Sequence, residues 1–265
     1  MVLVSSMLVE EHISRSFLLK SVWDRLSKDE EVETLLNMSN VMAVERLLYN
    51  DHGPVHARIV TGSALEIFDI LLESGIQPST VTQGVVPSDE HAKLIVMLGA
   101  YLHDIGNSIH RSNHEFAGAL LAREILLRIL PEVIEGDRSL IHRIVSEVAH
   151  AIYATSNGVQ ALSIEASIVK VADATDMAEG RARIPYLKGK FDMHALSALS
   201  IEKVEIERGG IRPVRIKVYM RDSAGMFQVE KVMLPKVNTS LIGGYVEIIP
   251  IITGGEGPNI PPLLP

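Results

Sequence analysis

Residues 94–106 read LIVMLGAYLHDIG, an apolar run that closes on an adjacent histidine and aspartate, His103 and Asp104. The run is about half of the ~20 residues that a membrane-spanning helix needs, so it predicts a helix buried inside a soluble domain. Two polar groups at its end are costly to bury alone, which predicts a ligand or a hydrogen-bond network there. On either side, up to about Arg183, apolar residues return every three or four positions, the period of amphipathic helices. Helices are expected near 10–28, 30–49, 54–74, 88–106, 114–130, 138–155 and 162–181. Asp29 or Lys28, Ser88 and Ser163 stand at helix starts, and Gly53-Pro54, Gly75, Gly106, Pro131, Gly158 and Pro185 at stops.

After Ser200 the period changes to two. Residues 201–207, 213–220 and 226–234 alternate apolar and polar, and Asp222 to Gly225 reads as a hairpin turn between the last two. A further strand is expected from Tyr245 to Ile252, and the proline-rich tail after it should be extended. The fold class is therefore mainly α with a small C-terminal antiparallel β element. The expected organisation is a helical domain over 1–190 (core about 50–185), a β-rich appendage over 200–253 and a tail over 254–265.

Composition narrows the chemistry. The chain has 265 residues, 47% hydrophobic and 22% charged, which excludes a disordered or low-complexity protein. It has no cysteine, so any metal must sit on histidine or carboxylate ligands and no thiol nucleophile exists. The first segment, MVLVSSMLVEEH, lacks the basic region of a secretory signal, so a soluble cytoplasmic protein without a membrane partner is expected. The net charge of −8 does not favour long nucleic acid as a partner. Eight of ten histidines fall between His52 and His150, so the reactive part is the helical part.

The order His56, then His103-Asp104 within AYLHDIGN, then Asp173 within VADATD resembles the HD superfamily of metal-dependent phosphohydrolases, and SIEASIVKVADATDMAEGRAR is similar to the closing helix of its ribonuclease Y-like phosphodiesterases and of small prokaryotic members. The resemblance covers roughly residues 50–185. It implies a helical-bundle fold in which His56, His103, Asp104 and Asp173 hold a divalent ion, with His103 and Asp104 central to catalysis. Imidazole and carboxylate ligands from separate helices form a hard site suited to Mn, Fe, Co, Ni, Mg or Zn, with open positions for water and phosphate oxygen. Asp176 reads as an exposed carboxylate or one behind the ligands.

Relatives with a second ion use later histidines. His114 matches such a position, and His110 and His150 are the other candidates; Asp104 would bridge. The next expected histidine falls on Thr155, and the lysine that many relatives carry after HDIG is Asn107 here. Phosphate contact is then expected from Arg111, Arg181 or Arg183, because a guanidinium binds phosphate oxygens in bidentate fashion. His52 should play a local role before its Gly-Pro turn, and His12, His91, His142 and His194 read as surface residues.

The function implied is hydrolysis of a phosphomonoester or phosphodiester in a small nucleotide-like substrate. A ribonuclease-type phosphodiesterase is the first alternative, with a basic strip from Arg208, Arg212, Arg215 and Lys217. A non-catalytic nucleotide-binding regulator that keeps the metal site is the second. The hairpin edge and the strand from Tyr245 predict a homodimer through strand pairing.

Overall fold

The computed structural model describes residues 1–178, 193–254 and 260–265. Nine α-helices precede residue 178: α1 (Leu8–Ile13), α2 (Phe17–Leu26), α3 (Glu30–Asn40), α4 (Pro54–Glu73), α5 (Ser79–Thr82), α6 (Asp89–Leu102), α7 (His114–Ile129), α8 (Arg138–Tyr153) and α9 (Ile164–Asp173). Their starts follow local chemistry. Asp29 and Ser163 accept from the backbone N–H groups of Val32 and Ala166 at 3.2 and 3.1 Å, satisfying donors that have no partner within the helix. Ser88 does not cap α6 in this way; its hydroxyl meets His91 Nδ1 at 2.8 Å instead. Pro54 occupies the first turn of α4, where its missing N–H costs nothing.

The apolar run Leu94–Leu102 lies in α6, and every residue of it is buried. A helix apolar on all sides is a core helix, and α6 packs against α4, α8 and α9. It ends at His103, and a 3₁₀ turn (Ile105–Ser108) follows. Gly106 in that turn lies against the start of α7. A Cβ there would stand 1.9 Å from the His114 carbonyl oxygen and 2.4 Å from the Gly118 nitrogen. Only glycine allows α7 to approach so closely, and that approach delivers His114 to Asp104.

The expected β element is present as one four-stranded sheet in the order β1 (Val2–Leu3), β2 (Ile201–Arg208), β3 (Val214–Met220), β4 (Val246–Ile252). The first two pairings are antiparallel, but β3 and β4 run parallel. The reason lies in residues 226–234, which form no strand. They belong to a helical stretch, Met226–Gln228, Val229–Met233 and Leu234–Asn238, that carries the chain back so that β4 enters from the same end as β3. Asp222 to Gly225 is accordingly not a hairpin turn: Asp222 caps a short 3₁₀ turn that leads into this stretch. Val229, Met233 and Val237 are buried at spacings of four, a helical repeat that outweighs the apparent alternation. The outer side of β4 takes Leu263 from the chain's own tail, with Ile248 and Leu263 exchanging hydrogen bonds at 3.0 and 2.9 Å. The edge expected to pair with a second copy is thus partly covered.

His12 is not a surface residue. It is 2% exposed on α1, with Nε2 3.1 Å from Glu66 and Nδ1 3.0 Å from Asp69, which Lys93 also pairs. Burial opposes its charge, but the hydrogen bonds to Asp69 and Glu66 outweigh burial and raise its pKa above the ordinary value. Its contribution to stability is therefore fully present below the unfolded-state pKa of about 6.5 and is lost as pH rises through the raised folded value. The gap in unfolding midpoint between the native chain and His12→Gln is expected to be largest near pH 6 and to shrink on the alkaline side. A gap that widened with pH in thermal melts would contradict this assignment.

Among the described residues no helix is long and apolar enough to cross a membrane.

Candidate metal centre

Three elements converge on one point. His56 comes from the first turn of α4, His103 and Asp104 from the end of α6, and Asp173 from the end of α9. His56 Nε2 lies 3.2 Å from His103 Nε2, 3.4 Å from Asp104 Oδ2 and 3.3 Å from Asp173 Oδ1. His103 Nε2 is 3.4 Å from Asp104 Oδ2 and 3.5 Å from Asp173 Oδ1. For metal–ligand bonds of about 2.0–2.2 Å, neighbouring donors stand about 3.3–3.6 Å apart in a tetrahedron and about 2.8–3.1 Å apart in an octahedron. The observed spacings fit the first and lie just beyond the second, so His56 and His103 with Asp173 could hold a divalent ion, Asp104 lies within the same spacing of both imidazoles, and His52, His56 and Asp104 form a second such group.

The tautomers fit as well. His103 Nδ1 donates to the Ala100 carbonyl at 2.8 Å, and His56 Nδ1 donates to Asp176 Oδ2 at 2.7 Å. In the neutral imidazole each bond keeps the proton on Nδ1, so that a metal can take the place of the proton on Nε2, the arrangement a ligating imidazole needs. Asp176 is 7% exposed, so it is a buried support for His56 and not a surface carboxylate. Replacing it by asparagine removes the charge that holds this tautomer. Asp176→Asn is expected to weaken metal affinity by about 10–100-fold, measured by competition with a chelating dye; unchanged affinity would show that Asp176 does not orient His56.

The charges reinforce one another. Burial lowers the His103 pKa, but Asp104 and Asp173 override it and raise it to about 9. Burial raises the Asp104 and Asp173 carboxyls, yet the neighbouring imidazoles, and Lys236 beside Asp173, hold both well below the usual range.

His52 has more than a local role. Its backbone N–H donates to Asn40 Oδ1 at 2.8 Å, and the adjacent Gly53 leaves no room for a Cβ, which would stand 2.5 Å from Asn40 Nδ2. The loop so pinned sets His52 Nδ1 2.6 Å from Asp104 Oδ2. Proximity to Pro54 suggests only a turn, and Asp104 is remote in sequence, so nothing local signals this contact.

On the far side of Asp104, His114 Nε2 is 3.3 Å from Oδ1, and its Nδ1 faces the Arg111 carbonyl at 2.9 Å. Asn107 donates to Asp104 Oδ1 at 2.9 Å and accepts from Arg111 Nη1 at 3.1 Å. A second ion would find Asp104 and His114 here. His110 and His150 are not brought to this place: His110 is exposed and accepts from the Ser112 N–H, and His150 accepts from the Leu162 N–H at 3.1 Å. Arg181 and Arg183 lie outside the described residues, as does the side chain of His194.

The cluster opens into a cleft of about 550 Å³. Arg111 lines it, and so do Lys231 and Lys236 from the C-terminal helical stretch, of which the sequence reading makes residues 226–234 a strand. The strip of Arg208, Arg212, Arg215 and Lys217 does not. Arg208 pairs with Glu73, Arg215 and Lys217 with Glu207, and Arg212 with backbone oxygens of Gly243 and Val246.

Comparison with known proteins agrees with this geometry. The family model described as "HD domain" matches residues 56–178. An uncharacterized protein of Methanocaldococcus jannaschii, MJ1020, is 45% identical over 229 residues, covering 86% of this chain and 87% of the relative. No solved structure matches.

Proposed function

The chain belongs to the HD-domain family of metal-dependent phosphohydrolases, and on that premise we propose that it hydrolyses a phosphoester bond in a small nucleotide-like substrate. The observation that carries this reading is a pair of imidazole nitrogens 3.2 Å apart, each 3.3–3.5 Å from an oxygen of Asp104 and of Asp173, at the floor of a cleft. A divalent ion bound there supplies a Lewis acid that acidifies water and neutralises charge on phosphoryl oxygens. The residues around it do the rest. Asp176 and the Ala100 carbonyl keep the Nδ1 protons of His56 and His103, His52 and Asn107 hold the two oxygens of Asp104, and Asn107 also steadies Arg111 at the anion's approach. One ion is favoured over two, because the two groups of residues that could hold an ion among those described, His56-His103-Asp173 and His52-His56-Asp104, share His56.

A small substrate is supported by the size of the cleft, which falls in the range of roughly 300–1,000 Å³ usual for small-molecule sites. Its rim offers Tyr49 for stacking and Asn50 and Asn157 for reading the edge of a base. The ribonuclease reading loses its support because the basic strip is paired with acidic and backbone groups away from the cleft.

The test is product formation from nucleoside mono-, di- and triphosphates, a cyclic nucleotide and a short RNA, after reconstitution with Mn, Co, Ni, Mg or Zn. Turnover of a nucleotide that stops on chelation supports the proposal. Cleavage of the RNA alone would favour the ribonuclease reading, and stoichiometric metal with no turnover would favour the regulatory one.

A further inference from the structure

Lys236 is a buried cation beside the proposed metal centre. It is 9% exposed, lies on the last turns of the C-terminal helical stretch and lines the cleft. Its Nζ pairs with Asp173 Oδ2 and donates to the Thr155 carbonyl at 3.0 Å. Asp173 turns its other oxygen, Oδ1, toward His56 and His103. Lys236 therefore grips the side of Asp173 that faces away from the imidazoles. An ammonium has three N–H donors, and among the described residues these two partners leave one for a group inside the cleft.

Such a desolvated cation demands anionic company. The charged lining comprises Arg111, Lys231 and Lys236 against Asp104, Glu115, Asp173 and Asp176. A divalent ion at the proposed centre would balance Asp104 and Asp173, leaving three cations to two carboxylates. Arg111 has Nη1 engaged by Asn107 and His114. The position after the HDIG segment, occupied by Asn107, contributes an amide that is spent on Asp104 and Arg111 and carries no charge.

We propose that Lys236, with Lys231 at the rim, binds the phosphate of the substrate opposite Arg111, so that the helical stretch 226–238 completes the active site from outside the HD domain. This rests on the reading of the cleft as a phosphohydrolase site. Lysine suits the role as a compact point charge whose remaining donor can turn toward an oxygen.

The experiment is calorimetric titration of inorganic phosphate into Mn-loaded native protein, Lys236→Met, Lys236→Arg and Lys231→Met, with the metal content of each sample measured in parallel. Lys236→Met is expected to weaken phosphate binding at least tenfold while retaining its metal, and Lys236→Arg to stay within about threefold because it keeps the charge. Lys231→Met, at an exposed position, should lose about threefold, more at low ionic strength. Unchanged affinity in Lys236→Met, or a loss only in proportion to lost metal, would overturn the proposal and leave Lys236 as a positioning residue for Asp173. Should Lys236→Met fail to fold, unchanged phosphate affinity in Lys231→Met at low salt would overturn it. Phosphate binding that depends on Lys236 in a protein that hydrolyses none of the nucleotides would remove the hydrolase reading and keep this one; hydrolysis with phosphate binding indifferent to Lys236 would do the reverse.

Discussion

Asp104→Ala is expected to lose bound metal and to reduce hydrolysis by about 1,000-fold or more, with little loss of helical content. The Asp104 carboxylate meets four histidines and one asparagine. Its Oδ2 stands near His52, His56 and His103, and its Oδ1 near His114 and Asn107. Removing the carboxylate takes one oxygen from the ion and leaves buried imidazoles facing one another without the charge that balances them. A Lewis-acid site is worth several kcal/mol of transition-state stabilisation, and about 4 kcal/mol is 1,000-fold in rate. Asp104→Asn separates charge from shape, since it keeps the hydrogen-bonding outline but not the anion; it should fall nearly as far. Metal analysis beside a turnover assay checks both, and an Asp104→Ala protein that retained metal and more than a tenth of its activity would remove this residue from the centre.

Gly106→Ala should damage the protein through the fold. The added carbon would stand 1.9 Å from the His114 carbonyl oxygen, and that neighbour is backbone in the first turn of α7, which cannot swing aside as a flexible side chain would. α7 must shift as a body, which separates His114 from Asp104 and opens the packing of α7 on the 3₁₀ turn and α8. Overpacking typically costs about 1–3 kcal/mol, and a clash with fixed backbone belongs at or above the top of that range. Chemical denaturation should show a loss of about 3 kcal/mol or more. A variant of native stability would mean that α7 is not pressed against the turn in solution.

What was legible from the chain follows from how local each signal is. His56, His103, Asp104 and Asp173 could be picked out because short motifs mark them, and the structure brings all four together. The apolar run 94–102 announced its own burial, because no face of it is polar. His12 and His52 were misjudged because their partners, Asp69 and Asp104, are remote in sequence, and nothing beside a histidine says whether a carboxylate will fold onto it. Residues 226–234 were misread for a different reason. MFQVEKVML satisfies a period of two over a few positions, and the helical repeat emerges only when Val237 is included. Lys231, one cation of the cleft, lies inside that segment, and Lys236, the other, lies just beyond it in a part the sequence reading assigns to no element. The parallel pairing of β4 with β3 was hidden in the same place, since it depends on how the intervening chain returns.

The most direct measurement is an anomalous difference map from crystals of the native protein soaked in Mn²⁺. A single strong peak is expected within bonding distance, about 2.0–2.4 Å, of His56 Nε2, His103 Nε2 and one oxygen each of Asp104 and Asp173. A map with no peak at this cluster under saturating metal, or with the ion bound elsewhere and these four side chains unmoved, would contradict the assignment of a metal centre.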